Sequence, residues 1–182
     1  MNSWWNYLSR ATGIVAAALA VASLVWGLFF SSRNTGTKLK PNWWLALHNW
    51  LGGLTLSFVG VHMLVSLLDT PYGLRLIDLF VPSGKVGWGI GWGVVATWMF
   101  AIVVIPSMAR IRRRLPRKAW HVVHLISIPA IVLTAVHAYQ IGSDSASVFF
   151  TRGLALLVGI SMYPISIRLI GIAQAKRRAA AA

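Results

Sequence analysis

The sequence predicts an all-α membrane protein: a bundle of five transmembrane helices with its N-terminus outside and its C-terminus in the cytoplasm. Three observations carry that expectation. Hydrophobic residues make up 57% of the 182 and charged ones only 11%, where soluble domains carry about a quarter charged. The apolar residues gather into five runs, 11–30, 43–68, 87–107, 120–141 and 150–172, each close to the roughly 20 residues that cross a hydrocarbon core. The basic residues are also lopsided. Thirteen of the 17 Lys and Arg fall between the runs on one side of the alternating topology and four on the other. The rule that cytoplasmic loops are the positive ones then sets the orientation.

The net charge of +14 is therefore a topology signal and a contact with anionic lipid, not a nucleic-acid surface. The three acids, Asp69, Asp78 and Asp144, all fall on the expected outer side. Cysteine is absent, which excludes disulfides, thiolate ligands, iron–sulfur clusters and covalently attached haem. The whole chain, 1–182, reads as one transmembrane domain, and 173–182 as a frayed or disordered tail. The membrane expected is the inner (plasma) membrane.

Taken in order, residues 1–10 place Trp4, Trp5 and Tyr7 in an outer aromatic belt, with Arg10 just outside the first helix. The first run exceeds a signal-peptide core and lacks a small-x-small cleavage site, so it is read as a helix. Its Gly13, Ala16, Ala17, Ala18, Ala20, Ala22 and Gly27 permit close helix approach in lipid. The second run opens after Pro41 with Trp43 and Trp44 at the inner interface, and carries His48 and His62 with Gly52, Gly53 and Gly60 between or beside them. Those glycines suit helix packing or a flat ligand against the backbone. The next connection holds Leu74, Leu76, Ile77, Leu79 and Phe80, an apolar set suited to a short interfacial helix. Gly87-Trp-Gly-Ile-Gly-Trp-Gly93 opens the third run; without a preceding strand it is no dinucleotide fingerprint. A basic turn from Ser107 to Lys118 follows, then a fourth run with His121, His124, Pro129 and His137, and a fifth without histidine that closes the bundle.

The histidines carry the chemistry. His48 and His62 are fourteen residues apart and His124 and His137 thirteen, about 20 Å along a helix at 1.5 Å per residue. At about 100° per residue, the first pair returns to one face and the second falls about 140° out of phase. Pro129, which cannot donate to the carbonyl of Leu125, is expected to distort the fourth helix enough to realign the second pair. A polar side chain in the hydrocarbon is costly and marks a functional site. The two helices are separated by one other and so run in the same direction. Equal depth then pairs His48 with His124 toward the cytoplasm and His62 with His137 toward the outside. Each pair fills both axial positions of one non-covalent haem b, an arrangement suited to electron transfer rather than oxygen binding. Arg10, Arg114, Arg117, His121 and Arg152 are candidate partners for haem propionates.

With Ala11-Thr-Gly13, Leu47-His48-Asn-Trp-Leu-Gly52 through His62, and Arg114-Leu-Pro-Arg-Lys-Ala-Trp120-His-Val-Val-His124 through His137-Ala-Tyr, the chain resembles the ferric reductase-like transmembrane domain family over about residues 10–142. The resemblance implies outward transmembrane electron transfer through two b haems, with His48, His62, His124 and His137 as ligands. Two departures from the family pattern stand out: five helices rather than six, and no flavin and nicotinamide domain after the last. A separate donor is therefore expected, a flavoprotein or quinol, together with an extracytoplasmic acceptor. A quinone-reactive respiratory cytochrome b, which would add a quinone to the cofactors, is the alternative, although the chain has no glutamate for that type's quinol motif. An accessory subunit of a larger membrane complex is the third reading.

Overall fold

The computed structural model describes residues 4–31, 41–69, 73–142 and 144–180. Seven α-helices occur among them: α1 Trp4–Ser31, α2 Pro41–Leu68, α3 Trp88–Ser107, α4 Ala109–Arg112, α5 Arg117–Leu125, α6 Ser127–Ile141 and α7 Val148–Ala180. With α5 and α6 taken as one span, five are long and apolar enough to cross a membrane. The chain is an integral membrane protein. Two 3₁₀ turns, Leu76–Leu79 and Gly84–Val86, punctuate the α2–α3 connection, and Gly87 enters α3 at φ 91°, a conformation glycine adopts without strain.

Helix α1 packs along α2, and α3 along α6. The two pairs meet in a core of Ala20, Val21, Leu24, Phe100, Ala130 and Ile131. Those residues lie midway, in sequence, between the histidine levels of their own or neighbouring helices, so apolar packing separates the two ends. Helix α7 lies mainly against α1. Loop 32–40, with Arg33, Lys38 and Lys40 of the charge argument, lies outside the described residues.

Four expectations change. Helix α1 begins at Trp4, so Arg10 lies within a helix rather than before it: Asn6 and Ser9 tie this first stretch to Asp69, Ser66 and His62 while Trp4, Trp5 and Tyr7 stay exposed. The fourth span begins at Arg117 rather than Trp120, since Pro116 leaves no helix interior to disturb just before it. The helix α7 continues to Ala180, so most of the tail is helical, as its run of alanines favours. The irregularity in the fourth span sits at Ile126, not at Pro129. Pro129 occupies the first turn of α6, where its missing N–H costs least. The bond forfeited is the one to the Leu125 carbonyl, so the break appears a few residues before the proline. The Ile126 N–H turns back to Val123 and His124 instead, and Ser127 Oγ donates to the His124 carbonyl at 2.8 Å.

Candidate haem-ligand sites

The break at Ile126 brings both histidines of the fourth span toward α2. His48 and His124 face each other with ring centroids 5.7 Å apart and planes crossed at 65°. His62 and His137 do the same at 6.1 Å and 84°. Two metal–imidazole bonds of about 2 Å in line, with each ring centre about 1 Å beyond its nitrogen, would put centroids about 6 Å apart. Among the described residues, no three His, Cys, Asp or Glu side chains gather as a metal-ion site. The donors come in twos.

The Nδ1 atoms decide which nitrogen is free. His62 Nδ1 lies 2.8 Å from the Ser9 carbonyl, His137 Nδ1 2.8 Å from the Gly89 carbonyl and His48 Nδ1 3.0 Å from the Ser23 carbonyl. A carbonyl only accepts, so each Nδ1 carries the proton and each Nε2 keeps its lone pair. This is how metal-bound imidazoles are commonly oriented and made more basic.

Each accepting carbonyl stands four residues before a glycine: Ser9 before Gly13, Ser23 before Gly27, Gly89 before Gly93. A Cβ on Gly13 would come within 3.1 Å of the His62 ring, one on Gly27 within 2.9 Å of His48, and one on Gly93 within 2.5 Å of His137. The missing side chain lets the imidazole reach a carbonyl already bonded within its own helix. Sequence reasoning treated these glycines as packing residues. The signal was present: Gly13 and Gly27 are fourteen residues apart, the same interval as His48 and His62. Gly53 and Gly60, weighed as a platform for a flat ligand, have no neighbouring atom within 4 Å of an added Cβ, and Gly52 meets only Ser23 Oγ at 3.9 Å.

His124 is held differently. Its Nδ1 lies 3.4 Å from Ser107 Oγ, and its ring stacks on Trp120 at 4.6 Å and 24°. Trp120 Nε1 donates to Ser107 Oγ at 3.1 Å, and the Arg112 guanidinium lies over the Trp120 ring at 4.4 Å. At the same end of the bundle, Trp26 stacks on Trp44 at 4.2 Å, with Trp43 edge-on to both.

The His62/His137 end opens into a cavity of about 580 Å³ lined by both histidines, Gly13, Gly93 and Phe100, with Arg10 and Asp144 also on its wall. That size falls within the about 300–1,000 Å³ of cofactor-sized sites. Arg10 pairs with Asp144, while its buried Nε has no hydrogen-bond partner among the described residues. A buried donor left unbonded is costly, and a ligand carboxylate on the cavity side would satisfy it. Asn6 Nδ2 donates to Asp69 at 3.0 Å, and Ser9 and Ser66 share a 2.7 Å hydroxyl bond, tying α1 to α2 at this end. The other propionate candidates are not gathered in this way. Arg114, Arg117, His121 and Arg152 are exposed, and Arg112, which the sequence did not single out, reaches the surroundings of His124 through Trp120.

The family model described as ferric reductase like transmembrane component matches residues 5–135. The chain belongs to that family. Membership points to transmembrane electron transfer. His48, His62 and His124 fall within the matched span, whereas His137 lies two residues past it and is tied to the site by its geometry. No curated protein matches the chain.

Proposed function

We propose that this family member carries electrons across a membrane through two b-type haems, one held by His48 and His124 and the other by His62 and His137. The observation that carries the reading is the set of crossed imidazole pairs about 6 Å apart, together with Nδ1 protons given to backbone carbonyls at three of the four rings. Haem, when bound, supplies a one-electron iron couple at each end of the bundle.

The protein's part is to hold four neutral imidazoles with their Nε2 atoms free. His48 with His124 and His62 with His137 would each hold one haem iron between them, which would leave no place on the metal for a small molecule. Arg10 is suited to receive a propionate at the His62/His137 end, where its Nε meets no acceptor among the described residues. The about 20 Å between the histidine levels divides the insulating layer into short intervals. The sidedness of the basic residues supports the orientation with the N-terminus outside and the C-terminus cytoplasmic, in the inner membrane. The donor is then a cytoplasmic flavoprotein or quinol, and the acceptor an extracytoplasmic partner.

Haem-loaded protein in vesicles enclosing ferricyanide tests this directly. Reduced flavin or quinol added outside should reduce the trapped ferricyanide, and a His62→Ala, His137→Ala double variant should not support that reduction. Equal rates in protein-free vesicles would overturn the proposal.

A further inference from the structure

Register along α3 sets His124 apart from the other three histidines. Gly89 supplies the carbonyl and Gly93 the space for His137. Fourteen residues further along α3, at the level of His124, the corresponding positions are Val103 and Ser107. The Val103 carbonyl therefore stands where an Nδ1 acceptor is expected, but a serine occupies the position that glycine takes elsewhere. Ser107 Oγ donates to that same Val103 carbonyl at 2.7 Å and lies 3.4 Å from His124 Nδ1.

We propose that Ser107 is a positioning residue for His124, a hydroxyl inserted between the imidazole and the Val103 carbonyl. It makes the His48/His124 haem the centre whose potential is set through a side chain. This rests on the two-haem reading above. The proton count admits one arrangement compatible with ligation. Ser107 has a single proton, given to Val103, and two lone pairs. One accepts from Trp120 Nε1 at 3.1 Å, and the other accepts from the His124 Nδ1–H. Were the serine to donate to Nδ1 instead, the ring proton would move to Nε2, which could then not bind iron.

An imidazole that shares its Nδ1 proton is a stronger base toward the metal and favours the ferric state. At His124 that proton goes to a hydroxyl 3.4 Å away, a weaker acceptor contact than the carbonyls at 2.8–3.0 Å that the other three reach. Trp120, stacked on the ring and bonded to the same hydroxyl, fixes the ring plane while Ser107 sets the electronics.

The test is a redox titration of haem-loaded Ser107 variants, with haem content and low-spin spectra measured alongside. Ser107→Ala removes the acceptor but keeps a Cβ in the way of the Val103 carbonyl. The potential of one haem should shift upward while the other stays. Ser107→Gly recreates the carbonyl–glycine arrangement of the other three sites, and the same haem should shift downward. Ser107→Thr keeps the hydroxyl and should return the wild-type value. Unchanged potentials in both Ala and Gly variants, or equal shifts of both haems, would overturn the assignment. A wild-type protein lacking two low-spin haems would instead overturn the reading beneath it.

Discussion

The two ends of the bundle hold their histidine pairs by different means. At the His62/His137 end both Nδ1 atoms reach backbone carbonyls at 2.8 Å, both rings sit where a glycine leaves room, and the cavity wall carries an ion pair. At the His48/His124 end one ring reaches the Ser23 carbonyl at 3.0 Å with the Ser23 hydroxyl at 3.3 Å, and the other is held by a hydroxyl and an indole stack without a backbone carbonyl among the described residues. A carbonyl is present whatever the residue, so the first end depends on sequence through its missing side chains. The second depends on particular side chains, which substitution can alter one at a time.

The sharpest way to break the comparison is to remove a ligand. His62→Ala or His137→Ala should lower the haem content from two per chain to one and abolish transfer across vesicles, leaving the spectrum of the remaining pair. His48→Ala or His124→Ala should do the converse. If any of the four leaves both haems in place, the pairing is wrong.

Filling a glycine comes next. Gly93→Ala should displace the His137 ring, costing about 1–3 kcal/mol as overpacking does, and should lower haem retention at that end only. Gly27→Ala and Gly13→Ala should follow in that order, as their Cβ clearances of 2.9 and 3.1 Å exceed the 2.5 Å at Gly93. Haem content and thermal midpoints across the three check the ranking. An alanine at Gly93 no worse than one at Gly13 would contradict it.

Arg10→Gln should have a smaller effect. The Arg10–Asp144 pair is part-exposed, and such pairs contribute about 1 kcal/mol or less. Haem dissociation should become faster at the His62/His137 end and stay unchanged at the other, as read by transfer to an apo-globin acceptor.

The smallest effect lies outside the membrane-spanning helices, at the 3₁₀ turn between α2 and α3. There the Arg75 side chain and backbone N–H both bond Asp78, holding its carboxyl below the usual range, while Asp78 raises the Arg75 guanidinium. A lowered carboxyl pKa stabilises the turn above the ordinary carboxylate value, and that stabilisation fades as pH falls through the lowered one. Hydrogen exchange at residues 75–81 should accelerate over that acidic interval, and Asp78→Asn should remove the pH dependence. The histidine pairs at both ends should be indifferent to that variant.

Much of this architecture is legible in the sequence because hydrocarbon imposes few solutions: apolar length gives the helices and paired histidines stand out against it. The turn at Leu76–Leu79 was equally readable, its Leu76, Ile77 and Phe80 exposed and its Leu79 buried. The start of α1 was not. Trp4 to Arg10 read as an interfacial segment, because an aromatic belt and a helical turn share the same composition. That misplacement hid Ser9 from the site, although Arg10 already stood among the propionate candidates. The carbonyls were harder still, since every residue has one and only the glycine four positions later marks those that matter. Ser107 became visible only once the α3 register showed where a fourth glycine would stand.

The central claim is tested most directly by the ratio of haem to purified chain, measured with the reduced-minus-oxidised spectrum. The account predicts two low-spin haems per chain, with a ferric resonance signal strongly anisotropic because the imidazole planes are crossed at 65° and 84°. A ratio of one or less, or a high-spin spectrum, would contradict it.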